Sequence, residues 1–316
     1  MVKKNKLTLK ELQERQKWTL AQKIDHSLGV IDQFLSYTKG QAYVSFSGGK
    51  DSTILLHLCR IIKPNIKAVF VNTGVEYPDI LKFVKKQKNV EILYPSENFT
   101  KLCDKYGFPL VSKEQSRNVW YTRNRPKSKI AWRSINSEVS AQRISQRYLY
   151  LLNTSYDICN KCCHVLKKEP LDKWGAQNNM HPIMGLMAEE SMLRKTEYLK
   201  HGCNNISSNK LKSNPLSIWL EQDIWDYIKQ NNIEIAEVYN KGAKRTGCAG
   251  CAFGAHLEKQ SECRYKLLYD LYPKFYLYFM NIKNNGVTYR EAIRELFNKM
   301  GTGRYLPDEK PLELFD

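Results

Sequence analysis

"AYVSFSGGKDSTILLHL", Ala42 to Leu58, sets two glycines, a lysine and an acid between two apolar runs. The opening "AYVSF" favours a strand, and the run beginning with Asp51 and Ser52 favours a helix, because those residue types suit a helix N-terminus. A strand that ends in Ser-Gly-Gly and feeds a helix presents backbone N–H groups at the positive end of the helix dipole, where anions bind. Two adjacent glycines let the backbone approach a ligand closely, the serine hydroxyls can donate to its oxygens, and Lys50 adds positive charge. Neither G-x-x-x-x-G-K-[ST] nor G-x-G-x-x-G occurs here, which excludes a Walker loop and a Rossmann fingerprint.

Working outward, Leu20, Ile24, Leu28, Ile31, Phe34 and Leu35 recur at helical spacing and predict an amphipathic helix within Trp18 to Tyr37, after a charged lead-in over residues 1–17. Downstream the strand–helix pattern repeats in "KAVFVNTG", "YPDILKFVKKQ", "VEILYP" and "ENFTKLCDKYG". Such alternation implies a parallel twisted sheet with helices on both faces, an α/β fold. Ligands in such sheets lie outside the carboxyl ends of the strands. The "SFSGGKDS" and "VNTGVEYP" turns both fall at such ends and are expected to face one crevice. Beyond Ser112 the regularity weakens through a basic insertion near 113–150 and the "CNKCC" segment, then returns with "HPIMGLMAEESMLR" and a helix after "NPLSIW". The division expected is a helical lead-in over 1–38, an α/β domain over 39–240 and a helical C-terminal region over 241–316. Helices are expected in "YKLLYDLYPKFYLYFMNIK" and "YREAIRELFNKM".

The 316 residues, 42% hydrophobic, can bury one large core or two modest ones. No apolar run reaches about 18 residues, and "MVKKNKLTLKELQERQ" lacks the apolar segment of a signal peptide. The expectation is a cytoplasmic protein with no membrane association. A net charge of +18 favours anionic partners. "RNVWYTRNRPKSKIAWRS", Arg117 to Ser134, interleaves basic residues with Trp120, Tyr121 and Trp132. That composition suits phosphate contact and base stacking, and it equally suits a solvated basic loop.

Nine cysteines in a cytoplasmic chain point to metal or redox chemistry rather than disulfides. Cys162 and Cys163 are adjacent, and Cys248 and Cys251 form C-x-x-C in "RTGCAGCAFG". Four thiolates suffice for an iron–sulfur cluster or for zinc. Cys159 could exchange with a ligand or act as a redox thiol. Cys59 and Cys103 lie among apolar helical residues and read as core thiols, while Cys203 and Cys263 have no clear partner.

S-G-G-K-D-S after an apolar strand resembles the pyrophosphate loop of the adenine nucleotide α-hydrolase-like superfamily, whose members cleave ATP between the α and β phosphates or bind related adenylyl nucleotides. Cys-Cys, 84 residues, then C-x-x-C resembles the 4Fe–4S ligation of iron–sulfur members of the phosphoadenosine phosphosulfate (PAPS) reductase family. "NTGVEYP", "EES" followed by Arg194, "PLSIW" and "RTGCAGCAFG" extend that resemblance from Ala42 to Gly254. It implies that Ser47, Gly48, Gly49, Lys50, Asp51 and Ser52 hold the phosphates, with Lys50 and Asp51 as the catalytic pair. It further implies that Thr73 and Gly74 border the adenosine, that Arg194 contacts an anionic part of the nucleotide, and that Cys162, Cys163, Cys248 and Cys251 bind a 4Fe–4S cluster, with zinc as the alternative.

Sulfonucleotide reductases of the family use a cysteine in a C-terminal Glu-Cys-Gly-type motif. This sequence ends "GTGRYLPDEKPLELFD", and no cysteine comes after Cys263. The departure turns the resemblance toward the ATP pyrophosphatases of DNA phosphorothioation systems and the pyrophosphate-loop tRNA thiolases. In that form it implies ATP- and Mg²⁺-dependent adenylylation of a nucleic acid, DNA or tRNA, served by a sulfur-donor protein such as a cysteine desulfurase. Two other readings stay open: a PAPS or adenosine phosphosulfate reductase with Cys159 or Cys203 as an unusual nucleophile, and a non-catalytic nucleotide-binding protein.

Overall fold

The structure is a computed structural model, and it describes residues 7–207, 210–301 and 303–309. The first six residues of the lead-in and the last seven of the C-terminal region therefore lie outside the described residues. Strands occur in chain order as β1 (Ala42–Ser45), β2 (Ala68–Val71), β3 (Val90–Leu93), β4 (Leu110–Val111), β5 (His181–Met184), β6 (Asn204–Asn205), β7 (Lys212–Ser213), β8 (Ala252–Phe253), β9 (Lys283–Asn284) and β10 (Val287–Thr288). The chain divides into two units that interleave in sequence: residues 1–72, 78–94 and 170–241, and residues 73–77, 95–169 and 242–316.

The first unit is built on a six-stranded sheet in the order β3-β2-β1-β5-β7-β6, parallel except for the β6–β7 pair. It is the helix-flanked, mostly parallel α/β sheet that the alternating pattern predicts. All four residues of β2 are buried, as a strand covered on both faces requires. From β1 the chain adds β2 and β3 on one side and later returns to place β5 on the other. The β1–β5 boundary is thus a topological switch point, the position at which sheets of this kind bind their ligands.

Helix Lys50–Ile62 follows β1 and buries Ile54, Leu55 and Leu58 completely. Helix Leu20–Tyr37 buries Ile31 and Phe34 and opens on a capping box, with Thr19 accepting from Gln22 N–H and the Gln22 side chain returning to the Thr19 backbone. A second capping box, Thr8 with Glu11, starts helix Leu9–Gln16. The charged lead-in is thus partly helical, and the T-x-x-E signal for it stands in the sequence.

The second unit contains the short parallel pair β4–β8 and the β9–β10 hairpin. The hairpin turns at Asn285 and Gly286, both at positive φ, as a two-residue turn of the primed type demands. Its core is aromatic: Phe108 meets Tyr289 at a tilt of 40° and 5.0 Å between centroids, and Phe99 meets Phe279 edge-on at 5.7 Å. The helical run expected from Tyr265 to Lys283 is instead two helices, Arg264–Leu271 and Pro273–Met280. Pro273 lacks the N–H that a continuous helix would use, so it begins the second helix. The basic insertion is likewise not a loop, because Ser112 and Ser128 cap helices Lys113–Asn124 and Lys129–Asn136. Among the described residues no helix is long and apolar enough to cross a membrane.

Candidate functional site

Residues Ser47–Ser52 lie in the first unit, at the carboxyl end of β1 and therefore at the switch point. Gly48 has φ +72° and lies so close to the helix after β2 that a Cβ would come within 2.8 Å of Ile80 Cγ2 and Val84 Cγ2. Glycine is required there on both counts. Gly49 is the N-cap of helix Lys50–Ile62, and no side chain caps it. The serines brace the loop: their hydroxyls are 3.0 Å apart, Ser47 N–H donates to Ser52 Oγ at 3.2 Å, and Ser52 Oγ donates to the Gly49 carbonyl at 2.9 Å.

Lys50 is 5% exposed, with Nζ 3.0 Å from Asp51 Oδ1 and 3.4 Å from Glu221 Oε1. The ammonium also lies 5.8 Å from the centre of the Trp225 ring, and the Lys50 N–H donates to Tyr239 Oη at 2.9 Å. Burial opposes the charge, but Asp51 and Glu221 outweigh it and hold Lys50 above the ordinary lysine value. Arg194 sits in the first turn of helix Met192–His201 and pairs with Glu190. Glu221, Trp225 and Tyr239 were not foreseen, since nothing local in their sequence marks them as partners of a lysine some 170 residues earlier.

The remaining expected residues all belong to the second unit. Thr73 donates through N–H and Oγ1 to the buried Glu76 carboxylate, at 3.1 and 2.7 Å, and Gly74 comes next at φ +75°. Glu76 also binds Lys167 Nζ at 3.3 Å. Burial opposes the Lys167 charge, but Cys248, Glu76 and Cys163 prevail and raise it above the ordinary value.

Cys162 donates to Cys163, 4.0 Å away. That bond, aided by Lys113 and Lys167, lowers the Cys163 thiol below the ordinary cysteine value against the opposing effect of burial. Cys248 and Cys251 stand at the ends of a tight turn closed by Cys251 N–H to Cys248 O at 3.1 Å, and Ala249 N–H ties that turn to Val75 O at 2.7 Å. Inside it, a Cβ on Gly250 would come within 2.3 Å of the Phe279 ring, so the packing admits only glycine. Cys163 interacts electrostatically with Cys162, Cys248 and Cys251. Cys163 is thus a member of the expected ligand set that interacts with each of the other three.

Among the described residues no three His, Cys, Asp or Glu side chains converge on a point that would hold a single metal ion. Four thiols from two segments are a donor set of the kind a cluster uses; Lys167 interacts with two of them, Cys163 and Cys248, and favours their thiolate form, the form that ligates, while burial raises Cys248 and Cys251. Cys59 and Cys103 are completely buried, as expected of core thiols. Cys159 is 1% exposed, and burial raises its thiol. Cys203 is buried 3.7 Å from His26 Nε2, and burial pushes it up to about 12.

A model of the phosphoadenosine phosphosulfate reductase domain matches residues 41–96 and 96–253. An uncharacterized protein of Methanocaldococcus jannaschii is 25% identical over 274 residues, 85% of this chain and 54% of that protein, so the chain spans about half the length of this relative. The adenosine 5'-phosphosulfate reductase of Bacillus mycoides is 22% identical over 226 residues, 71% of this chain and 79% of that enzyme. The crystal structure of phosphoadenylyl-sulfate reductase from Candida auris, a phosphate complex, aligns with a TM-score of 0.42 at 18% identity, covering 77% of this chain and 96% of that one.

Proposed function

Because the chain belongs to the phosphoadenosine phosphosulfate reductase domain family, we propose that it cleaves ATP between the α and β phosphates and adenylylates a nucleic acid for sulfur incorporation. The observation that carries this reading is the Ser47–Ser52 loop: a rigid, glycine-bearing turn on a helix N-terminus at the switch point of a parallel sheet. An acceptor oxygen attacks the α phosphorus, the bond to the bridging oxygen breaks, and pyrophosphate leaves. A sulfur nucleophile then displaces AMP from the activated position.

Charge builds on the α-phosphate oxygens and on the departing pyrophosphate, and the loop N–H groups with Lys50 stabilise it where it forms. Asp51 and Glu221 keep Lys50 charged and aimed, and Arg194 exchanges Glu190 for an anionic part of the nucleotide; a divalent cation, when bound, would supply further positive charge for the leaving pyrophosphate. A 4Fe–4S cluster on Cys162, Cys163, Cys248 and Cys251 would brace the second unit or hold sulfur in transit. The net charge of +18 supports a polyanionic acceptor. The test is AMP and pyrophosphate release by anaerobically purified protein with ATP and Mg²⁺. Stimulation by DNA or tRNA is the expected result, and no stimulation by either polymer sinks the proposal.

The second reading, reduction of a sulfonucleotide, draws support from the Bacillus mycoides relative. It needs an accessible low-pKa thiol, and Cys159 and Cys203 are both buried with raised values. Sulfite release from either phosphosulfate with thioredoxin as reductant would establish it.

A further inference from the structure

In the second unit a pocket of about 400 Å³ is lined by Trp120, Tyr121, Arg125, Asn160, Lys161 and His164. Its lining offers two aromatic rings, two basic side chains and a histidine with no carboxylate, and its volume falls in the range of small-ligand sites. The Trp120 and Tyr121 rings meet edge-on at 5.1 Å. Lys161 Nζ lies 5.0 Å and the Arg125 guanidinium 5.8 Å from the centre of the Trp120 ring. Two residues before Arg125, Arg123 donates to the Tyr156 carbonyl at 2.8 Å and the Thr154 carbonyl at 3.2 Å, which pins the end of helix Lys113–Asn124 and keeps the pocket wall in place.

A ligand that satisfies this lining carries a flat π surface and a negative charge a few ångströms apart. A nucleotide unit has both. The segment that supplies Trp120, Tyr121 and Arg125, residues 113–150, holds nine Lys and Arg against two Glu and no Asp, a balance that favours a phosphate backbone. Bases inside a duplex are stacked on one another and cannot present a face to Trp120, so the fit is to an unpaired base.

We propose that this pocket seats one nucleotide of a single-stranded stretch of nucleic acid, with its base on Trp120 and its phosphate at Arg125 and Lys161. The entering base displaces a cation from the indole face, and the displaced cation turns to the phosphate. Asn160, Lys161 and His164 on the pocket wall flank Cys162 and Cys163 in sequence, so a strand held here passes beside the thiols. The inference rests on the nucleic-acid reading above and names where the acceptor is gripped.

Fluorescence anisotropy of the full-length protein with fluorescein-labelled oligothymidylate, oligouridylate and an abasic strand of equal length tests it. W120L should weaken binding of the base-bearing strands by about tenfold, W120F should restore most of it, and W120L and wild type should bind the abasic strand alike. R125A should weaken all three strands and reduce the salt slope by about one. Preference for thymidylate or uridylate identifies the polymer, and either supports the pocket. If wild type binds the strands and W120L binds them equally well, the pocket is wrong and the nucleic-acid reading stands. An equal W120L loss on abasic and base-bearing strands overturns stacking, and tighter binding of duplex than of single strands overturns the unpaired base. Failure of wild type to bind any strand overturns the acceptor class and the pocket together.

Discussion

The glycine-bearing loop is written in six consecutive residues, Ser47–Ser52, whereas the thiol set draws its members from two segments 84 residues apart and interacts with a cation at a third position, Lys167. The first gets its geometry from a local event, a strand running into an uncapped helix. The second exists only once β4 has paired with β8 and the Cys248–Cys251 turn has docked on Val75. A local site survives damage elsewhere in the chain better than one that depends on long-range closure, because its geometry needs fewer distant contacts.

Substitutions confined to one unit break or sharpen this contrast. The largest effect is expected from C248S: after anaerobic reconstitution, bound iron and visible absorbance should fall to background while ATP binding persists. Retention of iron by C248S would remove that cysteine from the ligand set. Next comes K50A, expected to slow AMP formation by about 10²- to 10³-fold with iron content unchanged, as read by a pyrophosphate assay beside iron analysis. G48A should cost about 2 kcal/mol, since its methyl group must push aside Ile80 and Val84. Hydrogen exchange should place the loosening in the first unit, and a chemical melt should give the magnitude.

The smallest effect concerns pH. His256 is 3% exposed with Nε2 2.9 Å from Tyr148 Oη, and burial, aided by Arg304 and Arg264, lowers its pKa below the ordinary histidine value. The unfolded chain therefore takes up a proton below about pH 6.5 that the folded chain refuses. The stabilisation is complete above that pH and is lost as pH falls. The melting temperature should drop between pH 7 and 5, and H256Q should flatten part of the drop.

The sheet was legible because "AYVSF", "KAVFV" and "VEIL" carry strand periodicity between helical runs, and the loop because its chemistry lies on adjacent residues. Cysteine spacing singled out Cys162, Cys163, Cys248 and Cys251, which the fold places in one unit. What escaped is set by tertiary packing: Glu221, Trp225 and Tyr239 reach Lys50 only after helix Glu221–Gln230 and the turn beyond it have packed. Lys167 stood four residues after Cys163 with nothing to separate it from other surface lysines. The helices of the basic segment were a different kind of omission, because Ser112 and Ser128 are capping residues in plain view, outweighed by the density of charge around them.

The interleaving of the two units acquires another meaning when the chain is traced off the ribosome. The first unit cannot close until residue 241 has been made, and the second needs residues beyond 242. At roughly 5–20 residues per second, Cys162 and Cys163 emerge several seconds before Cys248 and Cys251 exist. During that interval the early pair is a reactive vicinal dithiol without its partners. Any chemistry that needs both pairs is thus timed by translation, and it belongs to the finished chain.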